Sequence, residues 1–123
     1  MKLITDTRER APLHFQHLEA VPGTLQTGDY SIHGLEHLFS IERKSIADLV
    51  TRDHKRFERE LHRLRGFHFK RLLIVGTEKE IRSGDYYSSA NPKAVFHSLY
   101  AFEAQYDVPV IFAPTPEQAA VCV

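Results

Sequence analysis

The run Lys70-Arg71-Leu72-Leu73-Ile74-Val75 admits few structural readings. Its four successive apolar residues lack the alternation of a half-exposed strand, so both faces of the segment must be covered, as in a strand in the middle of a sheet. Further on, Asn91-Pro92 places a capping residue and an N1 proline at the head of a helix reaching to about Asp107, and the strand Val108 to Ala113 follows. Strand, helix, strand at this spacing predicts a right-handed parallel crossover.

The first half reads less regularly. Met1 to Thr5 is expected to be a strand with Asp6 at its exit, and Pro12 ends regular structure there. Turn signals crowd around Pro22-Gly23 and Thr27-Gly28-Asp29. Thr24 to Gln26, Tyr30 to His33 and His37 to Lys44 are read as strands of a meander, the last two joined at Gly34. Ser45 opens a helix in the pattern Ser-x-x-Asp with Asp48, a longer helix runs from about Asp53 to Arg65 and stops at Gly66, and Thr115-Pro116-Glu117 starts a last one. All of this fits one domain, residues 1–123, large enough to bury a core without a structural metal. The lone Cys122 excludes an internal disulfide, no apolar run reaches the roughly 20 residues that span a bilayer, and no signal-peptide pattern opens the chain. A soluble, reducing, cytoplasmic setting is the expectation.

Formal net charge is zero, so attraction to an anionic partner must come from uneven distribution. Between Arg52 and Arg71 lie eight of the 16 basic residues against only Asp53, Glu58 and Glu60, a local excess of five positive charges. On the helix in that window Phe57, Leu61 and Leu64 make one stripe and Arg56, Arg59 and Arg63 another. The apolar stripe is expected on the sheet, leaving the basic one for phosphate contact or for solvent.

Two short runs carry the chemistry: Gly28-Asp29-Tyr30 and Ile41-Glu42-Arg43-Lys44. Side chains alternate along a strand, so Glu42 and Lys44 share one face while Phe39 and Ile41 share the other. Two carboxylates aimed at one point repel unless a cation sits between them, and oxygen-only ligands select Mg²⁺ or Mn²⁺ over zinc. Asp29 and Glu42 are assigned as ligands, with the Arg43 carbonyl able to add a third oxygen. Lys44 would then hold the attacking hydroxide or stabilise charge on a phosphate. Arg43 itself turns toward the Phe39 and Ile41 face, where a structural ion pair serves as well as phosphate contact. The eight histidines and single cysteine show no zinc-binding spacing.

These residues resemble the XPF-type structure-specific endonuclease domain, whose signature Gly-Asp…Glu-Arg-Lys-x-x-x-Asp stands here as Gly28-Asp29, Glu42-Arg43-Lys44 and Asp48. The resemblance extends to Asp6-x-Arg8-Glu9 and to Arg56-Phe57, from about Leu3 to Ala113. It implies a restriction-endonuclease-like α/β fold, with a mixed central sheet flanked by helices, and Mg²⁺- or Mn²⁺-dependent incision of branched duplex DNA at flaps, forks or junctions, in repair or recombination. It implies an acidic residue at Asp6, which would support water or a second metal or simply close its turn. Arg8 joins the candidate DNA contacts. Asp48 is either a supporting site residue or a helix cap, and Glu60 either positions water or pairs with Arg56 or Arg63. The family also implies nuclease domains that pair and a helix-hairpin-helix module, of which this chain shows no trace. Association with the nucleoid would follow.

In the helix from Pro92, Val95, Leu99, Phe102 and Tyr106 make the core stripe, and Phe96 and Tyr100 widen it. That surplus marks the 92–113 region as the expected surface of a homodimer or heterodimer. Tyr86-Tyr87 would stack on a base or sit on a rim. Gly84-Asp85-Tyr86 repeats the tripeptide with no Glu-x-Lys behind it. The competing reading, a non-catalytic DNA-positioning partner within a nuclease heterodimer, is expected to lose metal ligands, whereas Asp29, Glu42 and Lys44 are intact.

Overall fold

The computed structural model describes residues 2–9, 12–16, 18–49, 54–83 and 91–122. Six strands, β1 (Lys2–Asp6), β2 (Glu19–Gly23), β3 (Tyr30–Ile32), β4 (Phe39–Ser45), β5 (Phe69–Val75) and β6 (Val110–Ala113), form one sheet in the order β2-β1-β3-β4-β5-β6. The helices are α1 (Ile46–Leu49), α2 (His54–Leu64), α3 (Glu78–Ser83), α4 (Pro92–Tyr106) and α5 (Pro116–Cys122). β4, β5 and β6 run parallel, while β3 is antiparallel to both β1 and β4, so the sheet is mixed as expected.

β5 is covered on both faces, as its unbroken apolar run predicts. Leu72 and Ile74 pack with Leu61 and Leu64 of α2, Ile81 of α3 and Val95 and Leu99 of α4. Leu73 joins Leu13, Tyr30, Ile41, Ala113 and Ala119 on the opposite face. Burying each such aliphatic side chain is worth about 1.5–3 kcal/mol, which makes β5 the spine of the sheet. α4 begins where Asn91-Pro92 places it: the Asn91 side chain accepts from the Lys93 and Ala94 amides at 2.9 and 3.4 Å, and Asp107 ends the helix in the left-handed region.

Two expectations are corrected. Thr24 to Gln26 is not a strand; the strand lies earlier, at Glu19–Gly23, and pairs in parallel with β1 at the sheet's outer edge instead of joining a meander. An edge strand tolerates Pro22 because one row of its backbone groups needs no partner in the sheet, and with its outer residues exposed it shows little apolar alternation. Leu25 turns inward and is buried, so the segment after β2 is a pinned loop. The second correction is α3, absent from the expected elements although Thr77 caps it: the Thr77 Oγ1 accepts from the Glu80 amide at 3.1 Å and donates to the Glu80 carboxylate at 3.2 Å. Smaller shifts concern ends. β4 starts at Phe39, β6 at Val110, and Ser45 closes β4 while its Oγ accepts from the Asp48 amide at 3.1 Å to start α1. Asp53, Gly84-Asp85 and Tyr86-Tyr87 lie outside the described residues.

Candidate active site

The geometry begins at Gly28. Its φ of +85° disfavours any side chain, and a Cβ there would stand 2.1 Å from Ser40 Oγ, so this loop can lie against β4 only with glycine. The Ser40 hydroxyl donates to the Thr27 carbonyl at 2.9 Å and holds the loop down. Asp29 is then fixed from two sides: its amide donates to the Ile41 carbonyl at 2.8 Å, and its carbonyl accepts from the Asp6 amide at 2.8 Å. Its carboxylate reaches along the sheet and accepts from the Arg43 amide at 2.8 Å. Since the N–H and C=O of a strand residue point to the same edge, the Arg43 carbonyl also faces the Asp29 side.

Alternation along β4 works as read from the sequence. Ile41 enters the core beside Tyr30, whereas Glu42 and Lys44 turn together toward α2. The Lys44 ammonium lies 3.6 Å from Glu42 Oε1 and 3.0 Å from Glu60 Oε2, above the Phe57 ring at 5.6 Å. Glu60 also meets Arg56 Nε at 3.5 Å, one helical turn back. Of the two readings for Glu60, pairing is what the structure displays, with Arg56 and, unforeseen, with Lys44.

Burial pushes the Asp29 carboxyl up to about 6, with the nearby charges of Glu9 and Glu60 adding to it and outweighing the Arg43 amide and Lys44. Glu42 is raised well above its ordinary value, first by burial and then by the charges of Asp29 and Glu60. Burial alone would lower Lys44, but its hydrogen bond to Glu60 and the surrounding carboxylates raise it. Crowded, desolvated carboxylates beside an ammonium mark functional sites more often than structural ones. Among the described residues no group of three or more His, Cys, Asp or Glu is arranged to hold a metal. Two carboxylates with a backbone carbonyl suit a hard ion that keeps most of its water.

Asp6 is buried, and Arg8 occupies its carboxylate: Arg8 Nε donates to Oδ1 at 3.0 Å, Nη2 to Oδ2 at 2.6 Å, and the Arg8 amide to Oδ1 at 2.9 Å. Arg8 Nη2 also donates to the Leu25 carbonyl at 2.7 Å, which straps the loop that carries Asp29. The Arg8 hydrogen bond holds Asp6 below the usual carboxylate range. Arg8, not Asp6, lines the cleft beside Asp29, Glu42 and Lys44.

Arg43 takes the other face. Its Nη1 lies 3.4 Å from Glu9 Oε2, which also accepts from the Tyr30 hydroxyl at 3.0 Å, while that hydroxyl accepts from the Leu13 amide at 2.9 Å. Burial pushes Tyr30 up to about 12, so it stays a donor to Glu9. Glu9 has no role in the sequence reading. The available signal is parity, since Tyr30 and Arg43 belong to the same buried side. Exposed Arg56, Arg59 and Arg63 of α2 line the cleft, about 480 Å³ in volume, together with Arg8, Gly28-Asp29 and Asp48.

The ERCC4 domain family model matches residues 5–122. No curated protein matches the sequence. Among solved structures the chain is similar to XPF from Aeropyrum pernix, with a TM-score of 0.77 and 19% identity over 99% of this chain and 61% of that one. It is similar to that protein's structure in complex with DNA as well, with a TM-score of 0.75 and 17% identity over 98% of this chain and 60% of the other. At such identity the likeness is one of fold, and the chain spans about 60% of the length of these structures. The restriction-endonuclease-like α/β fold implied by the sequence is the fold observed. No helix among the described residues is long and apolar enough to cross a membrane.

Proposed function

The chain belongs to the ERCC4 domain family, and from that premise we propose that it is a metal-dependent endonuclease acting on branched duplex DNA in repair or recombination. One observation carries the reading: half-buried Asp29 and buried Glu42, a mutually repulsive pair, converge with Lys44 in a cleft lined by arginines. Asp29, Glu42 and the Arg43 carbonyl are the groups that would hold Mg²⁺ or Mn²⁺. Such an ion, when bound, polarises a phosphoryl oxygen and makes a water acidic enough to attack at neutral pH. Lys44 donates to the water or to the phosphate oxygen on which charge develops. Arg56, Arg59 and Arg63 together with Arg8 bind the flanking phosphates and set the register of the strand. Asp6 acts on the site through Arg8. XPF from Aeropyrum pernix has been captured with DNA on the same fold, which favours a DNA substrate here. Pairing with a second nuclease domain through the 92–113 region is part of the reading, supported by Tyr100, which is 43% exposed beside the Phe96 ring.

The test is cleavage of labelled duplex, flap, fork and four-way DNA in Mg²⁺, in Mn²⁺ and in chelator. Incision of branched substrates in metal and none in chelator is expected. DNA binding with no incision in either metal would overturn the enzyme and leave the DNA-positioning module.

A further inference from the structure

The cleft holds one carboxylate that the Glu-Arg-Lys run does not supply. Glu60 stands on α2, 18 positions from Glu42 in the chain, yet its Oε2 is nearer to the Lys44 ammonium, 3.0 Å, than Glu42 is at 3.6 Å. A lysine has a flexible four-carbon stem and a strongly hydrated head, so left to itself the ammonium turns to water. Here the Lys44 side chain is only 18% exposed, with the Phe57 ring on one side and Glu60, 17% exposed, on another. The helix that carries Glu60 cannot easily yield, because the next residue, Leu61, and then Leu64 are buried in the core. Oε1 of the same carboxylate faces Arg56 Nε at 3.5 Å, and the Arg56 side chain is 75% exposed on the cleft wall.

We propose that Glu60 is a positioning residue that holds the Lys44 ammonium beside Glu42 and, through Arg56, joins the phosphate-facing helix to the reaction centre. The inference rests on the endonuclease reading for the task it gives Lys44. Holding an ammonium needs an oxygen acceptor at this place, and a glutamine carbonyl supplies one. The negative charge has a second effect. It offsets part of the attraction of Arg56 for phosphate, so its removal strengthens DNA binding.

Glu60→Ala and Glu60→Gln separate these effects. Removing the partner of a poorly solvated charged group costs about 1–3 kcal/mol, so Glu60→Ala is expected to lower kcat on branched DNA by about 10- to 100-fold. Glu60→Gln is expected to stay within about threefold of wild type, because it keeps the acceptor. DNA affinity measured in chelator should be equal or tighter in both. The nitrogen-15 resonance of the Lys44 ammonium, identified by its loss in Lys44→Arg, should persist in wild type and Glu60→Gln and vanish into solvent exchange in Glu60→Ala. Wild-type turnover in Glu60→Ala, an ammonium signal that survives there, or an equal loss of kcat in both variants would overturn the proposal. So would weaker DNA binding in step with lost turnover, which would make Glu60 a mere support for α2. A wild-type protein that cuts no DNA would sink the endonuclease reading, while the resonance would still decide whether Glu60 holds Lys44.

Discussion

β4 carries an ion pair on each face, and the two pairs are buried alike. Lys44 and Glu60 are 18% and 17% exposed at 3.0 Å, and Arg43 and Glu9 are 18% and 17% exposed at 3.4 Å. They differ in what surrounds them. Around Lys44 the carboxylates of Asp29, Glu42 and Glu60 outnumber the one half-buried ammonium, and Asp29 and Glu42 are raised in pKa, first by burial and then by neighbouring negative charge that Lys44 only partly offsets. On the Arg43 side the Glu9 carboxylate is matched by the guanidinium and by a phenol that stays protonated. Burial therefore fails to separate a reaction centre from a structural clasp. Charge balance separates them: beside Lys44 the carboxylates leave unspent negative charge that a divalent cation would satisfy, whereas Glu9, although near enough to raise Asp29, is matched by Arg43.

The sharpest way to break this contrast is to remove each cation in turn. Lys44→Ala should lower single-turnover cleavage by about 10²- to 10³-fold with the fold intact, in line with the loss of one preorganised donor. Arg43→Ala leaves half-buried Glu9 with the Tyr30 hydroxyl but without its cation and should cost about 1–3 kcal/mol in urea unfolding. Its turnover per folded molecule should stay within about tenfold of wild type, because it is the Arg43 amide that holds the Asp29 carboxylate, and the substitution keeps that amide. An Arg43→Ala protein that is fully folded yet as inactive as Lys44→Ala would erase the distinction between the faces.

The next contrast is between two glycines with nearly the same φ. Gly28 and Gly34 have φ of +85° and +89°, but a Cβ at Gly34 meets nothing within 4 Å while one at Gly28 strikes Ser40 Oγ. Gly34→Ala should cost about 1 kcal/mol for the left-handed conformation alone. Gly28→Ala adds the clash and should cost about 2–4 kcal/mol, as overpacking commonly does. Ser40→Ala in the same chain should return part of that loss, since it removes the struck atom. Equal losses at the two glycines, measured by urea unfolding, would mean that the loop carrying Asp29 is not held against β4.

Much of this site is legible in the sequence because strand alternation is strict. Once Ile41 is taken as buried, Glu42 and Lys44 must share the other face, and Arg43 must leave them. β5 and α4 are equally plain, one by its unbroken apolar run and the other by Asn91-Pro92. The edge strand β2 is not, because a strand with one unpaired edge and exposed side chains needs neither alternation nor the absence of proline. α3 has a capping signal in Thr77 and Glu80, but within its six residues only Ile81 is buried, too little for a stripe. Asp6 shows a different limit. Whether a carboxylate at a strand exit enters the cleft or turns to an arginine two residues on depends on the turn between them, and Thr7-Arg8 brings the guanidinium back.

The last contrast concerns pH and reads the charge imbalance directly. Asp29 titrates near 6 when folded and near 3.8 when unfolded, so between these values the folded state binds the extra proton. Stability must then fall as pH rises from about 4 to about 6, by up to about 3 kcal/mol for a shift of this size, and the elevated Glu42 carries the decline higher. Asp6 has the opposite sign, but its lowered pKa leaves its stabilisation fully present and constant above about 3.8, and it is lost only as pH falls below that value, outside this window. Urea unfolding in chelator should accordingly show a protein more stable at pH 5 than at pH 7. Asp29→Asn, which keeps an acceptor for the Arg43 amide, should flatten that slope and gain stability at pH 7. If Mg²⁺ or Mn²⁺ relieves the same repulsion, adding either at pH 7 should stabilise wild type more than Asp29→Asn by the mass-action relation. Stability that is level or rises with pH from 4 to 7 would show that these carboxylates do not strain the metal-free fold, and the two faces of β4 would then be electrostatically alike.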